Sequence, residues 1–276
     1  VNQGTLKLDG TDFSLTSNQT MQLLGGNLDL NGTVQNINNL QAQTGSLAVN
    51  DGYAANTGGY VINTSASQAT LALTTANVSF RGAIGNNNAG QSNIAVVRSG
   101  AAGSTLDWNL YGDNTYTGAT LLNGGRTQLI DGGRLSGTSS IEISNATLLV
   151  TTGNITVESV SLTDRINDAA SITLNGALFQ WRSRASLYST ELLGEVKLGY
   201  ASSIIDFSEP GSNVNQSDVT FASFAQVAGQ HGTVRFVNID GNISALQRLF
   251  ISNLNGVATT NIGDGLTNNI IGGWAT

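Results

Sequence analysis

The sequence predicts an all-β fold, and three observations favour a β-solenoid, a single-stranded right-handed parallel β-helix. Short runs of Val, Ile, Leu and Phe are interleaved with Thr, Ser, Asn and Gln throughout the chain, which suits pleated strands. Pairs of Gly, Asn and Asp separate these runs and predict tight corners. Proline occurs once in 276 residues and charged residues make up 11%, as expected where interior strands donate hydrogen bonds to both neighbours.

The predicted strands are short, which favours the solenoid over the alternative, a β-sandwich array with longer strands and a larger aromatic core. In chain order they cover residues 5–8, 27–30, 46–49, 70–73, 77–80, 93–97, 140–143, 147–150, 155–157, 171–174, 195–198, 203–207, 218–221, 233–237 and 249–251. Turn signals such as Asn31-Gly32, Asn175-Gly176 and Asn255-Gly256 lie between them.

Helix signals are weak and predict at most a turn or two at residues 189–196 and 242–250, the second with Asn242 as an N-cap. No change of composition marks a linker, so the sequence predicts one continuous solenoid segment over residues 1–276. A coil of roughly 20–25 residues is typical of such repeats. The chain begins at Val1, and we expect an excerpt or a processed piece of a longer protein.

Charge and cysteine content exclude several classes of function. The net charge is −7 and Lys and Arg total 11, which disfavours a nucleic-acid partner because phosphate binding needs a basic surface. The absence of Cys excludes disulfides, thiol catalysis and Cys-bound zinc. No apolar run approaches the roughly 20 residues of a membrane-spanning helix, so no membrane span is expected.

The most regular unit lies between Asp107 and Gly125, where alternating residues flank the turn Gly112-Asp113-Asn114. An asparagine at a corner suits a left-handed or Asx-turn backbone, and a glycine permits a close approach of two backbones. We therefore interpret the unit as a structural motif rather than a binding site. Its residues are Asn114, Thr115, Tyr116, Thr117, Gly118, Gly124 and Gly125.

These residues closely resemble the autotransporter-associated β-strand repeat, with the best match over residues 94–149. That repeat occurs in passenger domains of bacterial autotransporters and in large bacterial surface proteins. The resemblance implies a β-helix located extracellularly or on the outer surface of a Gram-negative-type bacterium. One departure is Gly125-Arg126-Thr127, where the repeat usually has Gly-Thr-Leu, and it predicts a coil distorted at Arg126.

Catalytic chemistry is weakly represented, so we expect no enzyme activity and no cofactor. The nearest acid pairs are Asp9/Asp12, Asp164/Asp168, Glu191/Glu195 and Asp206/Glu209. Stacked coils could still bring two carboxylates to the separation of about 5–10 Å that glycoside hydrolysis requires. A β-helical polysaccharide-degrading enzyme therefore stays as an alternative, and so does a calcium site. The single histidine, His231, is expected in a surface turn.

One local cluster combines aromatic and basic residues, at Trp181-Arg182-Ser183-Arg184. It either packs its tryptophan inward or contacts a glycan or partner through ring stacking and guanidinium hydrogen bonds. The candidate contact residues are Trp181, Arg182, Arg184 and Tyr188. An adhesin module that binds glycan or host protein is thus one alternative function. The favoured function is structural: a stalk, filament subunit or adhesin shaft that self-associates or continues end to end.

Overall fold

A computed structural model describes residues 1–42, 59–74, 78–86, 90–100, 106–151, 163–182, 188–207, 216–238 and 247–259. This part of the chain is all-β and contains no α-helix. Its strands, in chain order, are β1 (Thr5–Lys7), β2 (Thr20–Gln22), β3 (Asn27–Asp29), β4 (Val34–Ile37), β5 (Asn39–Gln41), β6 (Tyr60–Ile62), β7 (Ala69–Leu73), β8 (Val78–Phe80), β9 (Ala83–Ile84), β10 (Ile94–Ser99), β11 (Asp107–Leu110), β12 (Thr120–Asn123), β13 (Arg126–Ile130), β14 (Ser140–Ser144), β15 (Thr147–Thr151), β16 (Ser171–Asn175), β17 (Leu178–Arg182), β18 (Tyr188–Leu198), β19 (Ser202–Asp206), β20 (Gln216–Gln226), β21 (Thr233–Val237), β22 (Gln247–Ile251), β23 (Asn253–Leu254) and β24 (Val257–Ala258).

The strands form four sheets, and every pair is parallel except β23 with β24. The largest sheet has 11 strands in the order β24-β23-β20-β18-β16-β14-β12-β10-β7-β4, with β22 also beside β20. A 7-stranded sheet has the order β21-β19-β17-β15-β13-β11-β8. A 4-stranded sheet, β1-β3-β6-β9, and the pair β2-β5 complete the set. None of the sheets in the described residues closes on itself.

From β1 to β22, consecutive strands belong to different sheets, and each strand pairs with the equivalent strand that follows after one passage through the other sheets. Thus β10 pairs with β12 and β12 with β14, while β11 pairs with β13 and β13 with β15. Paired residues lie 19 apart where Asp107 meets Arg126 and 36 apart where Val34 meets Thr70. We call one such passage a layer. The first layer contains β1 and β2, and the last described layer contains β22 to β24.

The core consists of rows of side chains stacked from layer to layer. Alternate residues of each strand point inward, and in-register pairing places equivalent inward positions on top of one another. In the 7-stranded sheet one such row runs Phe80, Leu110, Leu129, Val150 and Trp181, all at most 2% exposed. Full burial of such a side chain contributes about 1.5–3 kcal/mol each, so contacts between layers supply much of the stabilisation.

The prediction of an all-β chain is confirmed, and most strands are short, although β18 and β20 each span 11 residues. The predicted helical turn at 189–196 is wrong. Residues 189–196 lie within β18, because inward and outward side chains alternate there with the period of a strand. Of the other predicted turn, at 242–250, residues 242–246 with the expected N-cap Asn242 lie outside the described residues, and the part from Gln247 onward belongs to β22. The predicted strands at 46–49 and 155–157 lie outside the described residues.

The predicted distortion at Arg126 is also wrong. Strand β13 begins at Arg126 and pairs in regular register with both β11 and β15. The side chain points outward, where its Nε and Nη2 donate to the two carboxylate oxygens of Asp107 at 2.6 and 2.7 Å. A large side chain is tolerated at this position because it leaves the core and binds a partner on the adjacent strand.

Candidate functional site

Asn114 links three successive layers through its side-chain amide. Its Oδ1 accepts a hydrogen bond from the Ile84 backbone N–H at 3.0 Å, and its Nδ2 donates to the carbonyl oxygens of Gly112 and Arg134, both at 2.9 Å. The residue is fully buried, and its backbone is not left-handed. The expected corner role therefore depends on the amide group rather than on an unusual φ angle.

Tyr116 lies in the core, 1% exposed. Its hydroxyl is 2.5 Å from the Thr120 hydroxyl, which is in turn 2.9 Å from that of Thr138 in the next layer. Burial raises the pKa of the Tyr116 phenol above its ordinary value, since the charged form would lose its hydration. The neighbours Thr115 and Thr117 point to the other side. Tyr116 is therefore inaccessible as a contact residue, and its ring and hydroxyl pack between layers.

The glycines of the motif lie where another group approaches the backbone closely. Gly118 donates its N–H to the Ile94 carbonyl at 2.9 Å, and a Cβ at Gly118 would overlap that carbonyl. Gly125 has φ +67°, and a Cβ there would overlap the guanidinium of Arg98. The carbonyl of Gly124 accepts a hydrogen bond from Arg98 Nη1. The Gly124-Gly125 pair thus leaves space for the guanidinium of Arg98, which comes from the preceding layer.

Arg98 occupies an inward position in the row between Leu73 and Leu122, and it is 1% exposed. Besides the bond to Gly124, its Nη2 donates to the Leu106 carbonyl at 2.9 Å. Burial lowers the pKa of the Arg98 guanidinium, which the nearby Asp107 carboxylate partly offsets. Sequence reasoning missed this residue, although the alternation Ile94, Val96, Arg98 places it on the core face of β10.

A second buried polar site joins Glu191 of β18 to the layer below. The Glu191 carboxylate accepts the backbone N–H of Arg165 at 2.9 and 3.0 Å and that of Ile166 at 2.8 Å. In the two layers below, parallel bridges pair Asp113 with Arg134 and Leu135 with Ile166. In those bridges backbone N–H groups donate to backbone carbonyls of the adjacent layer. At Arg165 and Ile166 the Glu191 carboxylate is the acceptor instead.

Burial shifts the pKa values of both ionisable groups at this site, Glu191 and Arg165. Loss of hydration raises the pKa of Glu191 from 4.5 to about 7, outweighing the backbone hydrogen bonds and the Arg165 charge that lower it. The same loss lowers the pKa of Arg165 from 12.5 to about 10. Arg165 is fully buried, and its Nε donates to the Gly133 carbonyl at 2.6 Å. Its Nη1 and Nη2 make no hydrogen bond with the residues that the structure describes.

The acid pairs proposed from the sequence do not form a common catalytic group in the described residues. Glu191 and Glu195 point to opposite sides of β18, because the alternation shifts phase at Gly194. Glu195 forms an ion pair with Lys197 at 2.5 Å. Asp164 and Asp168 are both exposed, and partial loss of hydration together with the Asp164 charge raises the pKa of Asp168.

The described members of the two remaining acid pairs each accept hydrogen bonds from other parts of the chain. Asp9 and Asp12 accept backbone N–H groups of Thr11 and Val34 at 3.0 and 2.8 Å. Asp206 accepts the side-chain amides of Gln180 and Asn238 at 2.8 and 2.7 Å, and Glu209 lies outside the described residues. His231 is exposed between β20 and β21.

The candidate contact cluster does not form one surface. Trp181 is 1% exposed and donates its indole N–H to the Ser217 hydroxyl at 3.0 Å, so the alternative in which the tryptophan packs inward is the observed one. Arg182 is half-buried on the opposite side of β17. Arg184 lies outside the described residues. Tyr188 is 52% exposed at the start of β18, and it alone presents an accessible ring.

The described residues contain neither a candidate metal site nor a candidate membrane-spanning helix. No group of three or more His, Asp or Glu side chains in them could hold a metal ion. The same residues contain no helix that is both long and apolar enough to cross a membrane.

Comparison of the chain with protein-family models, with curated proteins and with solved structures finds no match in any of the three. The resemblance to the autotransporter-associated repeat therefore stays a prediction from the motif residues.

The interlayer role of Asn114 predicts a large loss of stability in Asn114→Ala. The substitution removes three side-chain hydrogen bonds, two of them fully buried, and the Ile84 N–H and two carbonyls lose those partners. We expect the free energy of unfolding to fall by about 2–4 kcal/mol, measured by urea denaturation followed by circular dichroism. Asn123→Ala is the matched control, because Asn123 is exposed in β12, and it should change stability by less than about 0.5 kcal/mol. Equal losses in the two variants would contradict the role given to Asn114.

The buried Glu191 carboxyl predicts that stability falls as the pH rises. Its pKa is higher in the folded chain than in the unfolded chain, so the folded state holds the proton more tightly between about pH 4.5 and 7. The contribution of Glu191 to the free energy of unfolding is therefore fully present below pH 4.5. It falls by up to about 3 kcal/mol as the pH rises through 7.

Glu191→Gln resembles the protonated carboxyl and tests this dependence. We expect Tm of the variant to match the parent near pH 4.5 and to exceed it at pH 8. Glu195→Gln is the control, since Glu195 points outward on the same strand, and its Tm should follow the pH dependence of the parent. A parent Tm that rises from pH 5 to pH 8, with Glu191→Gln less stable throughout, would refute the assignment.

Proposed function

We propose that the chain is a segment of a single-stranded right-handed parallel β-helix with a structural role on the outer surface of a Gram-negative-type bacterium. Its role is that of a stalk, a filament subunit or the shaft of an adhesin. The observation that carries this proposal is the strand register, in which each strand pairs in parallel with its equivalent one layer later.

The path of the chain supports the helical architecture. Strands β10 to β22 alternate between two sheets, so the backbone passes repeatedly from one sheet to the other and returns one strand further along. A parallel strand–crossover–strand connection within one sheet is right-handed in about 98% of cases. Repetition of that connection in one direction produces a right-handed coil, and the sequence gives no linker at which the coil would be divided.

The placement of buried polar groups supports a mechanical role. Asn114 and Asn63 use their amides to join successive layers; Asn63 accepts the Gly32 N–H and donates to the Asn93 carbonyl, both at 2.8 Å. These hydrogen bonds join one layer to the next, as the backbone hydrogen bonds of the sheets do. Pulling two layers apart would therefore require all of them to break at the same time. The buried polar side chains thus serve cohesion between layers, which is what a stiff shaft requires.

The surface location is supported by the resemblance of residues 94–149 to the autotransporter-associated repeat. The absence of Cys and the low charge suit an exported, long-lived rod.

Labelling of intact cells tests the proposed location and role. Antibodies raised against the purified chain should decorate the outside of unpermeabilised source cells in electron micrographs, along extended structures. Protease added to intact cells should remove the signal. Labelling only after the cells are opened would reject a surface shaft.

The first layer presents apolar side chains that equivalent residues of later layers bury. Leu6 pairs in register with Leu28, which is fully buried, yet Leu6 is 43% exposed. Phe13 and Leu24 are 63% and 42% exposed. Among the described strands β1 pairs on one side only, and open strand edges favour pairing with another strand. We infer that a further layer stacks on the first one, supplied either by a second copy of the chain or by a longer solenoid.

Stacking of a second copy predicts a concentration-dependent size for the purified chain. Sedimentation velocity should show a weight-average coefficient that rises with concentration. Leu6→Asp should abolish the rise because it places a charge in the contact. Tyr200→Asp is the control, since Tyr200 is 49% exposed between β18 and β19, away from the first layer. A monomer at every concentration, or equal association of the two variants, would refute stacking of a second copy on the first layer.

A further inference from the structure

The outward side of β18, β20 and β22 carries exposed aromatic and apolar side chains next to a fixed ion pair. On β18 the residues Tyr188, Thr190 and Leu192 point outward, since Ser189, Glu191 and Leu193 are buried. Tyr188 is 52% exposed, and Leu192 and Phe250 of β22 are each 44% exposed. These exposed fractions identify the outward side of β18, β20 and β22 as an accessible surface.

The strand register defines how the surface is arranged. One row crosses the three strands through Thr190, Asp218 and Arg248, and the next row crosses through Leu192, Thr220 and Phe250. With strands about 4.8 Å apart and residues about 3.3 Å apart along a strand, the three strands span about 10 Å. The distance along β18 from Tyr188 to Leu192 is about 13 Å. We call this surface the Tyr188–Phe250 face; it comprises Tyr188, Leu192, Asp218, Thr220, Arg248 and Phe250.

An ion pair holds the polar centre of the Tyr188–Phe250 face. Arg248 Nε and Nη2 donate to the two carboxylate oxygens of Asp218 at 2.8 and 2.6 Å. The Tyr188 hydroxyl lies 3.4 Å from Asp218 Oδ2, and the Arg248 guanidinium lies 5.2 Å from the centroid of the Phe250 ring. The pair orients both side chains, and the two opposite charges offset each other.

We propose that the Tyr188–Phe250 face binds a neutral polysaccharide chain. Exposed aromatic rings offer flat apolar surfaces against which the C–H faces of sugar rings can pack. Between them, the carboxylate accepts and the guanidinium donates hydrogen bonds, and sugar hydroxyls can do both. The site lies on the side of the stack rather than on its end, so this binding function is independent of the shaft role and of end-to-end association.

The composition of the face favours a neutral sugar over the other classes of partner. A polyanion is disfavoured because the arginine of the face is already paired with a carboxylate and the chain has a net charge of −7. A stable protein interface usually buries about 1,200–2,000 Å² with an apolar centre, whereas here the polar pair lies between the apolar side chains. Three parallel strands fix the backbone of the face, so binding requires little ordering of the protein.

Affinity electrophoresis in native gels tests the proposal, since the acidic chain migrates towards the anode. The gels contain one soluble polysaccharide each: the neutral polymers dextran, laminarin, galactomannan and hydroxyethylcellulose, or the polyanion heparin. We expect at least one neutral polymer to retard the chain. Tyr188→Ala and Phe250→Ala should each weaken the retardation at least fivefold. Tyr200→Ala removes an equally exposed tyrosine outside the face and should leave it unchanged.

Thermal unfolding followed by circular dichroism verifies that the variants fold, which is expected because the replaced rings are exposed. Three outcomes would overturn the proposal: no retardation in any neutral polymer, retardation by heparin alone, or equal retardation of the parent, Tyr188→Ala and Phe250→Ala. Each of these outcomes would leave the shaft role in place, because cell-surface labelling and sedimentation measure that role separately.

Discussion

The parallel hydrogen bonds between layers are the interaction on which the rest of the structure depends. Each interior strand must bond to one strand in the layer before it and to one in the layer after it. This constraint explains why Pro, which cannot donate, is nearly absent. It also explains glycines such as Gly118, where a side chain would separate two backbones that bond directly. Most of the sequence between corners is then free to vary within the alternation of inward and outward residues.

Buried polar side chains maintain the layer contacts where the backbone alone does not. Asn114 accepts a backbone N–H from the layer below and donates to a carbonyl in the layer above. Glu191 accepts two N–H groups from the layer below it, at the point where the chain runs straight through the long strand β18. A buried carboxylate is costly and can take up a proton, so the contact made by Glu191 makes stability dependent on pH. The contact made by Asn114 does not, because an amide carries no ionisable proton in this pH range.

The sides and the ends of the stack offer different chemistry. The first layer exposes apolar side chains whose equivalents in later layers are buried, which suits contact with another layer. The Tyr188–Phe250 face instead combines exposed rings with a fixed ion pair, which suits a ligand with hydroxyl groups. A rigid shaft can therefore present a ligand site on its side without interrupting the contacts that join its layers.

The sequence alone determined the all-β class, the short strands and the corners, because these depend on residues next to one another in the chain. It did not determine which residues carry the polar contacts. Trp181 lies in the core beside Ser217, and Arg98 lies against Gly124 and Gly125. Glu191, within a segment with a weak helix signal, binds the backbone of Arg165. Only the tertiary structure decided these roles, since each partner belongs to a different layer, about 26 to 36 residues away in the chain.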